Sequence, residues 1–233
     1  MKSANRALIL AIIVFTILSF LTITAVPFLD GNIDFVKSCD FYTGGFTKLL
    51  SSWWSVHPPA KEILTAVFFW AGGLNRISYG IIGPIFGLGG IITFYLLLKL
   101  NFNKTVASLA TVLLALSPLF LAAGVFALTD FLLTVFLICS LYFYAKQRFF
   151  LFFICASIAM LTKETGIILS ISLLLTELVF FNKKNLKKIL ISIAPFWGIA
   201  LWYIFLKING HGFWSDWNFR KVPIRPKSVS VYF

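Results

Sequence analysis

The stretch ISYGIIGPIFGLGGIITFYLLL, Ile77–Leu98, carries no charged side chain. A helix needs roughly 20 predominantly apolar residues to cross about 30 Å of hydrocarbon, and this stretch supplies them. Two further runs, Ala7–Leu29 and Thr105–Thr129, are equally free of charge. None of the three alternates at a period of two, so a membrane barrel built from segments of about ten residues does not fit. Composition points the same way: 60% of the chain is hydrophobic, 18% aromatic and only 12% charged. Soluble domains carry about 25% charge. The chain reads as an all-α polytopic membrane protein.

The formal net charge of +12 raises the question of a nucleic-acid partner. Its placement answers it. Basic residues sit at Lys2 and Arg6, Lys99 and Lys104, Lys146 and Arg148, and Lys183, Lys184, Lys187 and Lys188, each group in a short gap between apolar runs. That is the positive-inside pattern of cytoplasmic loops, and no nucleic-acid role is assigned. It predicts about seven transmembrane helices, near 7–29, 77–98, 105–126, 131–145, 149–162, 166–181 and 189–206. The N-terminus is then cytoplasmic, the first run a retained signal anchor, and the plasma membrane the expected location. Ser117-Pro118 predicts a kink in the third span. The segment near 62–71 is too short to cross. A transmembrane domain covers 1–206, with an external loop at 30–61. The external basic and aromatic tail, 207–233, reads as truncated.

This parity sends Asp30, Asp34, Asp40, His57, Glu62, Asp130, Lys163 and Glu164 to the external face, with Glu177 toward the cytoplasm. Acidic groups at membrane ends are costly unless paired or solvated, so their gathering predicts a shared polar cavity.

The loop CDFYTGGFTKLLSSWWSVHPPAKEIL, Cys39–Leu64, holds the densest set of candidates. Tyr42, Phe46, Leu49, Leu50 and Trp53 make an apolar stripe at helical spacing, which predicts an interfacial helix over about 41–55. Asp40 then precedes that helix, either as its N-cap or as a general base facing an incoming hydroxyl. His57-Pro58-Pro59 fixes the backbone entering the next segment, since proline suits a first helical turn. Asp130 opens the fourth span, as its cap or as part of the cavity. Lys163 is either a point charge for a phosphate or the partner of a nearby carboxylate. Asp30-Gly31-Asn32-Ile33-Asp34 spaces oxygens like the start of a calcium loop but lacks the later glycine and glutamate. Cys39, Cys139 and Cys155 form no disulfide framework and no metal cluster. The cofactor is left open: a divalent metal is compatible with the sequence but not indicated by it.

Together these pieces resemble the polytopic glycosyltransferases of the GT-C type that use lipid-phosphate-linked sugars. That group includes the protein O-mannosyltransferases, the aminoarabinose transferases of lipid A and the bacterial RgtA/B/C/D-like proteins. The resemblance rests on Asp40-Phe41-Tyr42, on His57-Pro58-Pro59 with the following Ala-Lys-Glu-Ile-Leu, on Thr129-Asp130-Phe-Leu-Leu, and on Ala159-Met-Leu-Thr-Lys163-Glu164-Thr-Gly166. It covers about 1–206, the N-terminal portion of such enzymes. It implies a GT-C-like fold in which Asp40 is the catalytic base. The sugar would pass from a polyprenyl or dolichyl phosphate to a hydroxyl of a glycan, lipid or protein on the external face. Lys163, or after it Arg76, would stabilise the phosphate, with Asp130, Glu164 and His57 binding substrate. Two departures stand out: Phe41 occupies a position that is often acidic, and family members are commonly longer. The competing readings are an inactive fragment of the transferase and a polytopic transporter or lipid-handling protein. A transporter should carry ionisable groups near the midplane in paired repeats, and no repeat is seen here.

Overall fold

The computed structural model describes residues 2–24, 30–51, 58–180 and 186–209, and all regular structure among them is helical. The chain runs through α1 (Lys2–Leu21), α2 (Asp30–Ser51), α3 (Ala60–Gly72), α4 (Arg76–Gly80), α5 (Ile82–Asn101) and α6 (Lys104–Ala115). It continues through α7 (Pro118–Val125), α8 (Thr129–Ala145), α9 (Phe149–Thr162), a 3-10 turn at Glu164–Gly166, α10 (Ile167–Val179), α11 (Leu186–Ile193) and α12 (Phe196–Ile208).

Among the described residues two units, Arg76–Asn101 and Leu186–Ile208, are long and apolar enough to cross a membrane. A third qualifies if α6 and α7 count as one span bent by 53°. The bend falls at the expected Ser117-Pro118 step, where proline lacks an N–H and its ring clashes with the carbonyl four residues back. Among the described residues, therefore, the expected seven spans are not matched by seven membrane-length helices. Arg6–Leu21, Thr129–Ala145 and Phe149–Thr162 are apolar but shorter. At 1.5 Å per residue α8 rises only about 25 Å. The first helix likewise stops at Leu21 instead of continuing to 29.

Packing centres on α8, which lies against α5 and α9, while α1 packs on α6, α2 on α3 and α12 on α9. The shared core is mostly aromatic and branched: Phe15, Phe35, Phe69, Ile82, Phe131 and Leu132 are fully or almost fully buried. The outward faces remain apolar, with Leu113, Leu119, Phe150, Val179 and Trp197 exposed. Such a surface suits lipid rather than water.

Helix α5 crosses α7 closely enough to need glycine. A Cβ on Gly83 of α5 would stand 2.1 Å from the carbonyl oxygen of Gly124 in α7. Small residues let membrane helices approach backbone to backbone. Gly83→Ala is expected to cost about 1–3 kcal/mol by overpacking. Melting in detergent checks it against Gly89→Ala, whose Cβ would meet nothing within 4 Å.

Candidate functional site

The helix that carries the loop carboxylates is longer than its sequence pattern predicts. It opens at Asp30, so Asp40 lies inside α2 and does not cap a helix starting at 41. The reason is burial: Asp34, Phe35, Lys37, Ser38, Cys39, Asp40 and Phe41 are all buried. A helix resting on a membrane surface would bury one stripe, whereas this segment is enclosed by protein on several sides. Helical conformation breaks at Gly45, with φ 60° and ψ −152°, a backbone state open chiefly to glycine. Trp53, Trp54 and His57 lie outside the described residues.

The proline step does what its chemistry suggests. Pro59 stands at the N-cap of α3 and its carbonyl accepts the Ile63 N–H at 3.0 Å. Lys61 and Glu62 thereby fall in the first helical turn and both are buried. Lys61 donates to Asp34 Oδ2 and lies within electrostatic reach of the Tyr79 hydroxyl. Thr129, the first residue of α8, donates to the same Asp34 oxygen at 2.9 Å. Beneath them the Phe35 ring meets Phe69 and Tyr79 edge-on, at 5.8 and 5.2 Å. Burial pushes the Asp34 carboxyl up, but the Lys61 charge and hydrogen bond, the Lys37 charge and the Thr129 hydroxyl together hold it below its ordinary value. Asp34 is thus an ionised carboxylate gripped from two other helices. The segment 30–34 is helical and not a calcium loop. Among the described residues no group of three or more His, Cys, Asp or Glu could hold a metal ion.

Lys37 and Glu62 form a second buried pair, with Lys37 Nζ 4.0 Å from Glu62 Oε1. Glu62 Oε2 is buried and accepts no hydrogen bond among the described residues. Burial pushes this carboxyl from 4.5 up to about 7, with the Lys37 charge pulling the other way. The fold therefore favours the protonated form. That contribution to stability is whole below pH 4.5 and is lost as pH rises to about 7. Glu62→Gln is expected to flatten the fall in melting temperature across that window. A scan of melting against pH in detergent checks it.

One residue beyond Thr129, Asp130 Oδ1 accepts from Lys163 Nζ at 2.6 Å, on the more open side of the cluster. Lys163 sits just past the end of α9, and Glu164 opens the turn that follows, within electrostatic reach of Tyr203 in α12. Arg76 opens α4, three residues before Tyr79. Asp40 pairs with Lys48 at 3.3 Å across the break at Gly45. Six helical residues separate Asp40 from Asp34, about 9 Å of rise and a third of a turn apart in direction. The opposite end of α8 carries a different set: Tyr144 donates to Glu177 at 2.7 Å, with Lys188 at 3.8 Å.

An apolar cavity of about 460 Å³ lies beside the cluster. Its walls include Phe46 of α2, Pro59 and Ala60, Leu161 of α9, and Trp202 and Phe205 of α12. Ala60 precedes Lys61 directly, and Leu161 stands two residues before Lys163. Sequence reasoning named Asp130 and Lys163, placed Asp34 only among the external carboxylates and in the calcium-like spacing, and gave Lys61 and Thr129 no role of their own. The available signal was Lys61-Glu62, a charged pair straight after two prolines at the start of an apolar segment.

Residues 56–214, more than half of the chain, match the family model for dolichyl-phosphate-mannose-protein mannosyltransferase. The chain belongs to this family. The match takes in His57, Lys61, Glu62, Arg76, Asp130, Lys163 and Glu164, and it starts beyond Asp34 and Asp40. No curated protein and no solved structure matches the chain. Family membership makes this a membrane glycosyltransferase region of GT-C type.

Proposed function

We propose that the chain transfers a sugar from a polyprenyl or dolichyl phosphate to an acceptor hydroxyl on the external face of the plasma membrane. The observation that carries this reading is the Lys163–Asp130 pair, set just past Leu161 in the wall of the apolar cavity. A compact ammonium two residues along the chain from the Leu161 wall suits a phosphate joined to a prenyl chain. Family membership supports the same donor class.

In the proposed reaction Asp40 takes the proton of the acceptor hydroxyl. The acceptor oxygen forms its bond to the anomeric carbon as the bond from that carbon to the phosphate oxygen breaks. Configuration inverts, and the polyprenyl phosphate leaves with its new negative charge facing Lys163. A fixed cation acts most strongly where charge develops in the transition state. Asp130 keeps Lys163 in place, and Glu164, His57 and Arg76 contact substrate. The acceptor is a glycan, lipid or protein hydroxyl.

The test is to incubate membranes containing the chain with labelled polyprenyl-phosphate sugars and identify what becomes labelled. Label should reach an acceptor only when the chain is present. Lys163→Ala should lower the turnover rate about 10²–10³-fold, the cost of removing one charge-stabilising group from a transition state. Label that stays on the lipid with every donor offered would overturn the proposal.

A further inference from the structure

Asp34 joins three helices through one oxygen atom. Its Oδ2 takes hydrogen bonds from Lys61 at the start of α3 and from Thr129 at the start of α8. Asp34 itself is on α2, the helix that also carries Asp40. Thr129 and Asp130 are the first two residues of α8, so fixing Thr129 fixes an α-carbon about 3.8 Å from its own. Asp130 in turn holds Lys163 at 2.6 Å. An unbroken line of direct contacts therefore runs from Lys61 through Asp34, Thr129 and Asp130 to Lys163.

We infer that Asp34 is a positioning residue for sugar transfer, setting the phosphate-facing Lys163 relative to α2 through Thr129 and Asp130. The inference rests on the transferase reading above. Burial alone does not explain the arrangement, because an apolar pair of similar volume serves a helix contact as well as a buried ion pair does. What an apolar pair cannot do is direct Thr129. The hydroxyl has a single proton to donate, and Asp34 Oδ2 receives it. Two donors from different helices on one oxygen also tie α3 to α8, since sliding either one breaks a bond. Displacing a reacting group by about 1 Å can cost around 10²-fold in rate, so a small loss of register here is enough to matter.

Thr129→Val removes the hydroxyl while keeping the branched shape and leaving the Lys61–Asp34 pair whole. Binding of polyprenyl phosphate alone and transfer from a labelled polyprenyl-phosphate sugar are the two readouts, with melting temperature as the folding control. The valine variant should bind polyprenyl phosphate about tenfold more weakly and transfer about 10–100-fold more slowly while staying folded at the assay temperature, with a melting temperature only modestly lowered by the lost hydrogen bond. Thr129→Ser, which restores the donor, should recover both. Asp34→Leu combined with Lys61→Met should restore folded yield over either single change without restoring transfer. The inference is overturned if Thr129→Val matches the unaltered chain in both readouts, if serine fails to rescue, or if the double variant regains transfer. An unaltered chain that neither binds polyprenyl phosphate nor transfers sugar defeats the transferase reading and this inference together. An active unaltered chain with an equally active valine variant defeats only the inference.

Discussion

Asp40→Asn is expected to lower sugar transfer by about 10²–10⁴-fold, the usual contribution of a positioned acid–base group. Asparagine keeps the shape and one acceptor oxygen but cannot hold the acceptor's proton at neutral pH. Folding should be nearly indifferent to the change. The ion partner Lys48 is 43% exposed, and a pair that open is worth at most about 1 kcal/mol. Rate and stability therefore separate: labelled-sugar transfer should collapse while membrane insertion and melting temperature hold. Should folded protein disappear in step with activity, Asp40 is a helix residue and nothing more. Full activity in the variant would place the base elsewhere.

Lys61→Met carries the largest expected effect on stability. Lys61 is 1% exposed and donates to Asp34, so its loss leaves a buried carboxylate without its cation. Breaking a buried pair from one side costs about 3–5 kcal/mol. Against a total stability of about 5–15 kcal/mol, much of the folded population disappears. The direction with pH is distinctive. In the unaltered chain the Asp34 carboxyl titrates below 3.8, so its contribution stands above that pH and is lost as pH falls through the lower folded value. Without Lys61 the opposing influences shrink and burial pushes the carboxyl upward instead. The variant should therefore gain stability on mild acidification, where the unaltered Asp34 pair gains none. Melting curves of the two chains in detergent between pH 7 and about 5 decide the matter, since a carboxyl raised by burial becomes neutral in that range. Parallel curves would mean that Asp34 does not depend on Lys61.

Much of the architecture was legible because hydrophobic runs and their charged gaps are long-range signals that tertiary contacts seldom override. The boundaries of α9, the bend at Pro118 and the helix start after Pro59 all follow from local chemistry. The extent of α2 was not legible. Its first part, DGNIDFVKSCD, mixes glycine, asparagine and charges in a way that favours a loop when read alone. Only partners distant in sequence, Lys61 and Thr129, make that stretch worth ordering as a helix. The candidate site divides along the same line. Asp130 and Lys163 stood out as charges interrupting apolar runs. Asp34 drew only a place on the external face and in a calcium-like spacing, because its importance lies in contacts to residues 27 and 95 positions away.

The apolar cavity's lining joins helices far apart in the described chain, α2 and α12. Phe46, just past the break in α2, meets Phe205 at 5.6 Å and Trp202 at 6.3 Å, while α12 is the last helix described. During synthesis the wall formed by α2 must therefore wait, unsealed, until α12 has left the ribosome. Until then Phe46 lacks the rings of Trp202 and Phe205, so an apolar surface made early stays open while about 150 further residues are synthesised.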